Sequence, residues 1–140
     1  MKKIKFLVLF SIIIIGTNTA YGQTTIPGGT VSGTWTFAGS PYLVQGAIMI
    51  ANGTTLTIEP GVKVEFQGSF KFLILGRINA IGNALDSIIF TAADTSIGWL
   101  GIRFGKTAPT NDTSKFYFCK IMHGKAVASN NAGGAFYITN

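Results

Sequence analysis

The stretch Leu56-Thr57-Ile58-Glu59-Pro60-Gly61-Val62-Lys63-Val64-Glu65-Phe66 reads as two short strands joined by a bend. Leu56, Ile58, Val62, Val64 and Phe66 alternate with polar residues, so each strand has one apolar face and one wet face. Between them, Pro60 presets its φ and Gly61 accepts the positive φ that a tight turn demands. Strand and turn together use only seven or eight residues.

The same unit recurs outward from this stretch. Gly46, Gly53, Gly61, Gly68, Gly76 and Gly82 fall at intervals of 7, 8, 7, 8 and 6 residues. Ala51-Asn52-Gly53 repeats the turn chemistry of Glu59-Pro60-Gly61. Three such units take roughly 22 residues, one coil of a three-sided parallel β-solenoid. Apolar residues at three-and-four spacing are missing after Gly22, and β-branched residues and glycines are dense, so almost no helix is expected. The fold expected is all-β, a right-handed parallel β-helix. A β-sandwich is the competing reading, but its strands usually recur every eight to twelve residues.

Later apolar runs, Ser87–Ala92, Trp99–Phe104, Phe116–Ile121 and Gly133–Ile138, are separated by longer polar connections, where a solenoid accommodates insertions. In Phe72-Leu73-Ile74-Leu75 both strand faces are apolar. The outward pair, Leu73 and Leu75, therefore implies a cover such as an N-terminal cap or a flanking strand.

The strings Gly33-Thr34-Trp35-Thr36, Ser40-Pro41-Tyr42-Leu43-Val44 and "LTIEPGVKVEF" over 56–66 resemble the opening of secreted bacterial right-handed parallel β-helix proteins of the pectin-lyase-like superfamily. Gly76–Gly82, Asp86–Ala92 and Trp99–Phe104 continue the likeness, which covers roughly Gly29 to Asn140. The resemblance implies a Bacteroidetes-type source, where such proteins often carry a C-terminal sorting domain. No such domain is visible here. Because Gly133–Asn140 resembles the start of another coil, the chain is expected to be the N-terminal part of a longer β-helix, incomplete at its C-terminus.

Met1-Lys2-Lys3-Ile4-Lys5 followed by the apolar run Phe6–Ile15 has the order of a secretory leader, and Ala20 and Gly22 supply the small residues before a cleavage site. The run is about ten residues long, half of what a membrane-spanning helix needs. The expected organisation is a signal peptide over 1–22 and a β-helix domain over 23–140. The destination is then extracellular or at the cell surface, with the periplasm as the alternative. Without Lys2, Lys3 and Lys5, eight Lys and Arg face five Asp and Glu, a net charge of +3. That is too small and scattered for a nucleic-acid partner. Cys119 is the single cysteine, so no internal disulfide forms, and Gln23 stands where a lipoprotein would need cysteine.

Chemistry is sparse. Glu59, Glu65, Asp86, Asp94 and Asp112 are far apart in sequence, and no pair suggests general acid–base work. No cofactor is implied; a calcium site would need acids from successive coils to meet. His123, in Met122-His123-Gly124, lacks a neighbouring acid and reads as a turn residue. Cys119 reads as core. Trp35, Tyr42 and Trp99, with Tyr117 and Tyr137, are candidate platforms for sugar rings if they face outward, and core stacking is the alternative. The function expected is a secreted, non-catalytic β-helix module that presents loops to a polysaccharide or a surface protein. The alternative is the N-terminal part of a polysaccharide lyase or glycoside hydrolase whose active coils lie beyond residue 140. N-terminal sequencing of the exported protein is expected to begin at Gln23; a start at Met1 would remove the leader reading.

Overall fold

Fourteen short strands wind through three faces in strict rotation in the computed structural model, which describes residues 22–106, 108–111, 113–126 and 134–139. Residues 1–21 of the expected leader over 1–22, together with Asp112, Gly133 and Asn140, lie outside the described residues. The strands are β1 (Thr24–Ile26), β2 (Gly29–Thr30), β3 (Gly33–Trp35), β4 (Tyr42–Val44), β5 (Ile48–Ile50), β6 (Thr55–Ile58), β7 (Lys63–Phe66), β8 (Phe72–Ile74), β9 (Arg77–Ile81), β10 (Ile88–Ala92), β11 (Ile102–Phe104), β12 (Lys115–Tyr117), β13 (Cys119–Ile121) and β14 (Phe136–Ile138). The helical element among the described residues is one 3₁₀ turn, Phe37–Gly39.

Every third strand joins the same sheet. The first sheet orders β1-β4-β7-β10-β13, the second β2-β5-β8-β11-β14 and the third β3-β6-β9-β12. All these pairings are parallel. A sandwich of antiparallel sheets is excluded, and the chain is a right-handed parallel β-helix.

Register explains the spacing seen in the sequence. Partners along the first sheet, Thr24, Tyr42, Val64, Phe90 and Ile121, lie 18, 22, 26 and 31 residues apart. The 22-residue coil expected from the glycines is the one between β4 and β7. Later coils lengthen only in their connections, and the alignment on either side persists because parallel hydrogen bonding holds each residue over its counterpart.

Inward positions stack into apolar columns. Tyr42, Val64, Phe90 and Ile121 form one; Val44, Phe66 and Ala92 a second; Ile48, Phe72, Ile102 and Phe136 a third. Val44, Phe66, Phe72, Phe90 and Ile102 are fully buried. Each such aliphatic or aromatic side chain contributes about 1.5–3 kcal/mol by leaving water. The Phe66 ring stacks on Trp99 at 4.1 Å between centroids, with planes 9° apart.

Two glycines show what the turns require. Gly61 has φ +77°, as its place in the Pro-Gly bend predicts. Gly76 serves close approach: a Cβ there would collide with the carbonyl oxygens of Ala51 and Thr54 in the coil below. Leu73 and Leu75 are half-buried, and Gly105 in the β11–β12 connection lies against both. Part of the β11–β12 connection thus packs beside this outward pair. Gly61→Val is expected to destabilise the fold by about 1 kcal/mol or more and Phe66→Ala by about 3–5 kcal/mol, measured by denaturant unfolding. Unchanged midpoints would overturn these placements.

Candidate functional site

The three rings proposed from sequence as sugar platforms point inward, which corrects that expectation. Trp35, Tyr42 and Trp99 are all buried. Trp35 and Tyr42 stack at 4.6 Å between centroids, and the Tyr42 hydroxyl accepts a hydrogen bond from the Thr36 N–H at 2.8 Å. The Trp99 indole N–H donates to the Met122 carbonyl at 2.8 Å. Strand alternation decides this outcome for Trp35 and Tyr42, and the path of the β10–β11 connection decides it for Trp99; each ring lines the coil interior, where no sugar can reach it. Tyr117 and Tyr137 are exposed.

The acids remain dispersed. Among the described residues no three His, Cys, Asp or Glu side chains come together as a metal site. Glu59 accepts the Phe37 N–H at 3.0 Å. Glu65 pairs with Lys63 on the outer face of the first sheet. The hydrogen bond from Lys63 holds the Glu65 carboxyl below its ordinary range against the opposing effect of burial, with help from Gln67. Asp94 accepts from the Ser96 hydroxyl at 2.6 Å and the Ser96 N–H at 2.8 Å, which lowers its pKa and ties the turn. His123, with φ +59°, turns its Nδ1 to the buried Thr91 hydroxyl at 2.8 Å. A threonine this buried cannot receive a substrate, so the pair fastens a turn.

The candidate surface is the outer face of the third sheet. Its outward positions are Thr34 on β3, Thr55 and Thr57 on β6, Arg77, Asn79 and Ile81 on β9, and Lys115 and Tyr117 on β12. Parallel register arranges them in rows: Thr55 beside Arg77; Thr34, Thr57, Asn79 and Lys115 together; Ile81 beside Tyr117. Neighbours within a row are about 4.8 Å apart and successive rows about 6.6 Å apart. Glu59, half-buried just past the end of β6, continues its outward column to the level of Ile81 and Tyr117.

At the start of this face lies an open polar pocket of about 220 Å³, lined by Gly53, Thr54, Thr55, Arg77, Thr110 and Asn111. One wall is a loop held by asparagines: the Asn111 side-chain N–H donates to Asn52 Oδ1 at 2.7 Å and to the Leu75 carbonyl at 2.9 Å. At the far end Tyr117 is 57 % exposed. Between them Asn79 Oδ1 is shielded and has no donor among the described residues. Hydroxyl, amide, guanidinium, ammonium and an exposed aromatic ring thus follow one another across a single rigid face. That combination suits a sugar chain, with hydrogen bonds to hydroxyls, cations for acidic groups and a ring for an apolar sugar face.

Sequence reading missed Arg77, Asn79 and Lys115. Arg77-x-Asn79 and Lys115-x-Tyr117 each show two outward residues on one strand. Their meeting depends on a register step of 36 residues between Asn79 and Lys115, most of it connection that carries no periodic signal.

Cys119 is half-buried against the core, and burial pushes its thiol up to about 11. Thiolate is the reactive form. Alkylation of the folded protein is therefore expected to be far slower at pH 8 than for a free thiol and to rise steeply only near pH 11; fast labelling at pH 8 would contradict this burial.

Comparison with known proteins bears on the fold. No solved structure matches the chain. A 60-residue segment, 43 % of this chain, is 33 % identical to Protein bark beetle of Drosophila melanogaster, and the match spans 2 % of that protein's length. Among the described residues no helix is long and apolar enough to cross a membrane. The family model described as pectate-lyase like beta helix domain matches residues 29–139, and with three parallel sheets wound in register over that span, the chain belongs to this family.

Proposed function

We propose that this protein is a secreted or cell-surface bacterial β-helix module, exported by the leader over residues 1–22, that binds a polysaccharide without cleaving it. The observation that carries the reading is the outer face of the third sheet, continuous from the Arg77 pocket through Lys115 to exposed Tyr117. A chain of acidic sugars fits it, because Arg77 and Lys115 stand at its outward positions and the bordering Glu59 carboxylate accepts the Phe37 N–H. Binding needs only these groups. Cleavage of a glycosidic bond requires paired carboxylates, or a base beside a charge-stabilising cluster; among the described acids Glu59 borders this face, beyond the end of β6, and it stands there without a second carboxylate. The alternative, a lyase or hydrolase segment, predicts product.

The test is titration of the protein with a uronic-acid polymer and with a neutral glucan, followed by calorimetry, while reducing and unsaturated ends are assayed. Binding to the acidic polymer is expected, weakened by salt and weakened about tenfold, 1.4 kcal/mol, by either Lys115→Ala or Tyr117→Ala. Unfolding midpoints serve as the control. Binding unaffected by both substitutions would remove this face from the reading, and release of product would replace the binding module by the enzyme.

A further inference from the structure

The corner between the third and first sheets carries a second surface, independent of the proposed binding face. Phe118 makes the whole turn from β12 to β13 in one residue, at φ +48°. Left-handed backbone suits glycine or asparagine; for a bulky residue it is a rare and strained choice. The conformation leaves the ring 59 % exposed. One coil earlier the same corner is the turn 82–87. There Asn83 Oδ1 accepts the N–H groups of Leu85 at 2.9 Å and Asp86 at 2.8 Å. This side-chain-to-backbone turn holds Leu85 out at 93 % exposure.

The two turns are in direct contact. The Phe118 carbonyl accepts the Ile88 N–H at 3.0 Å, and the Gly82 N–H donates to the Tyr117 carbonyl at 2.9 Å. Leu85 and Phe118 therefore sit on adjacent coils, about 4.8 Å apart in level. Each has a charge beside it: exposed Asp86 follows Leu85, and exposed Lys120 lies two residues beyond Phe118.

We infer that this corner is a self-association surface on which a second copy of the chain docks about a two-fold axis lying between these two coils. A two-fold axis there sets Leu85 of one copy on Phe118 of the other, and the reverse, while each Asp86 meets the other copy's Lys120. A parallel arrangement would set acid on acid and lysine on lysine. Charge complementarity thus selects a second copy in antiparallel orientation. Both apolar residues are presented by turns that need no rearrangement, which lowers the entropic cost of docking. The patch is small, so the dimer is weak and concentration-dependent.

Sedimentation velocity of the protein from micromolar to millimolar concentration tests this. A reversible monomer–dimer equilibrium is expected. Phe118→Gly removes the ring and suits the left-handed backbone, so it should preserve or raise the melting temperature while weakening dimerisation at least about tenfold. Asp86→Lys and Lys120→Glu should each weaken the dimer, and the double variant should restore it. A monomer at all concentrations overturns the proposal. Wild-type association by Phe118→Gly, or a double variant no better than the singles, overturns it as well.

Discussion

Parallel hydrogen bonding between successive coils is the constraint on which the rest depends. Because each residue pairs with the one a coil away, side chains of one column keep the same direction from coil to coil. A residue that faces inward in β4 therefore fixes the orientation of its partners in β7 and β10. Tyr42, Val64 and Phe90 all face the interior for that one reason. The outward columns obey it equally, so Thr57, Asn79 and Lys115 form a row without any contact that selects them individually.

The arrangement divides the chain between a fixed interior and variable corners. Glycines are confined by close approach, as at Gly76, or by backbone sign, as at Gly61. Connections grow where nothing has to pair. The loop after β11 uses that freedom twice, packing Gly105 beside Leu73 and Leu75 and building one wall of the polar pocket with Thr110 and Asn111. The stretch after β10 places Trp99 on Phe66, so an inserted connection also supplies core. Segments that break the repeat thus add a pocket wall and a core ring to what the strands supply.

Alternation and turn chemistry made the strands legible. In Lys63-Val64-Glu65-Phe66 the apolar residues are buried and the polar ones half-exposed, as period two requires. The glycine spacing disclosed the coil length, and the absence of helical periodicity excluded layered helix–sheet folds. Aromatic residues were less legible, because composition marks a ring as useful for packing and for sugar stacking alike. Trp35, Tyr42 and Trp99 went inside and Tyr117 outside, a choice made by strand phase and, for Trp99, by a connection whose path has no periodic signal. The proposed binding face was not legible either: Arg77, Asn79 and Lys115 are unremarkable until register sets them side by side.

By itself the sequence determined the strand content, the coil repeat and the leader-like order of the first 22 residues, because each is a local pattern of side-chain size, polarity and backbone permission. Tertiary structure decided which residues meet across coils. Parallel pairing converts sequence separations of 18 to 36 residues into contacts of a few ångströms, and the lengths of irregular connections, which follow no local rule, set those separations.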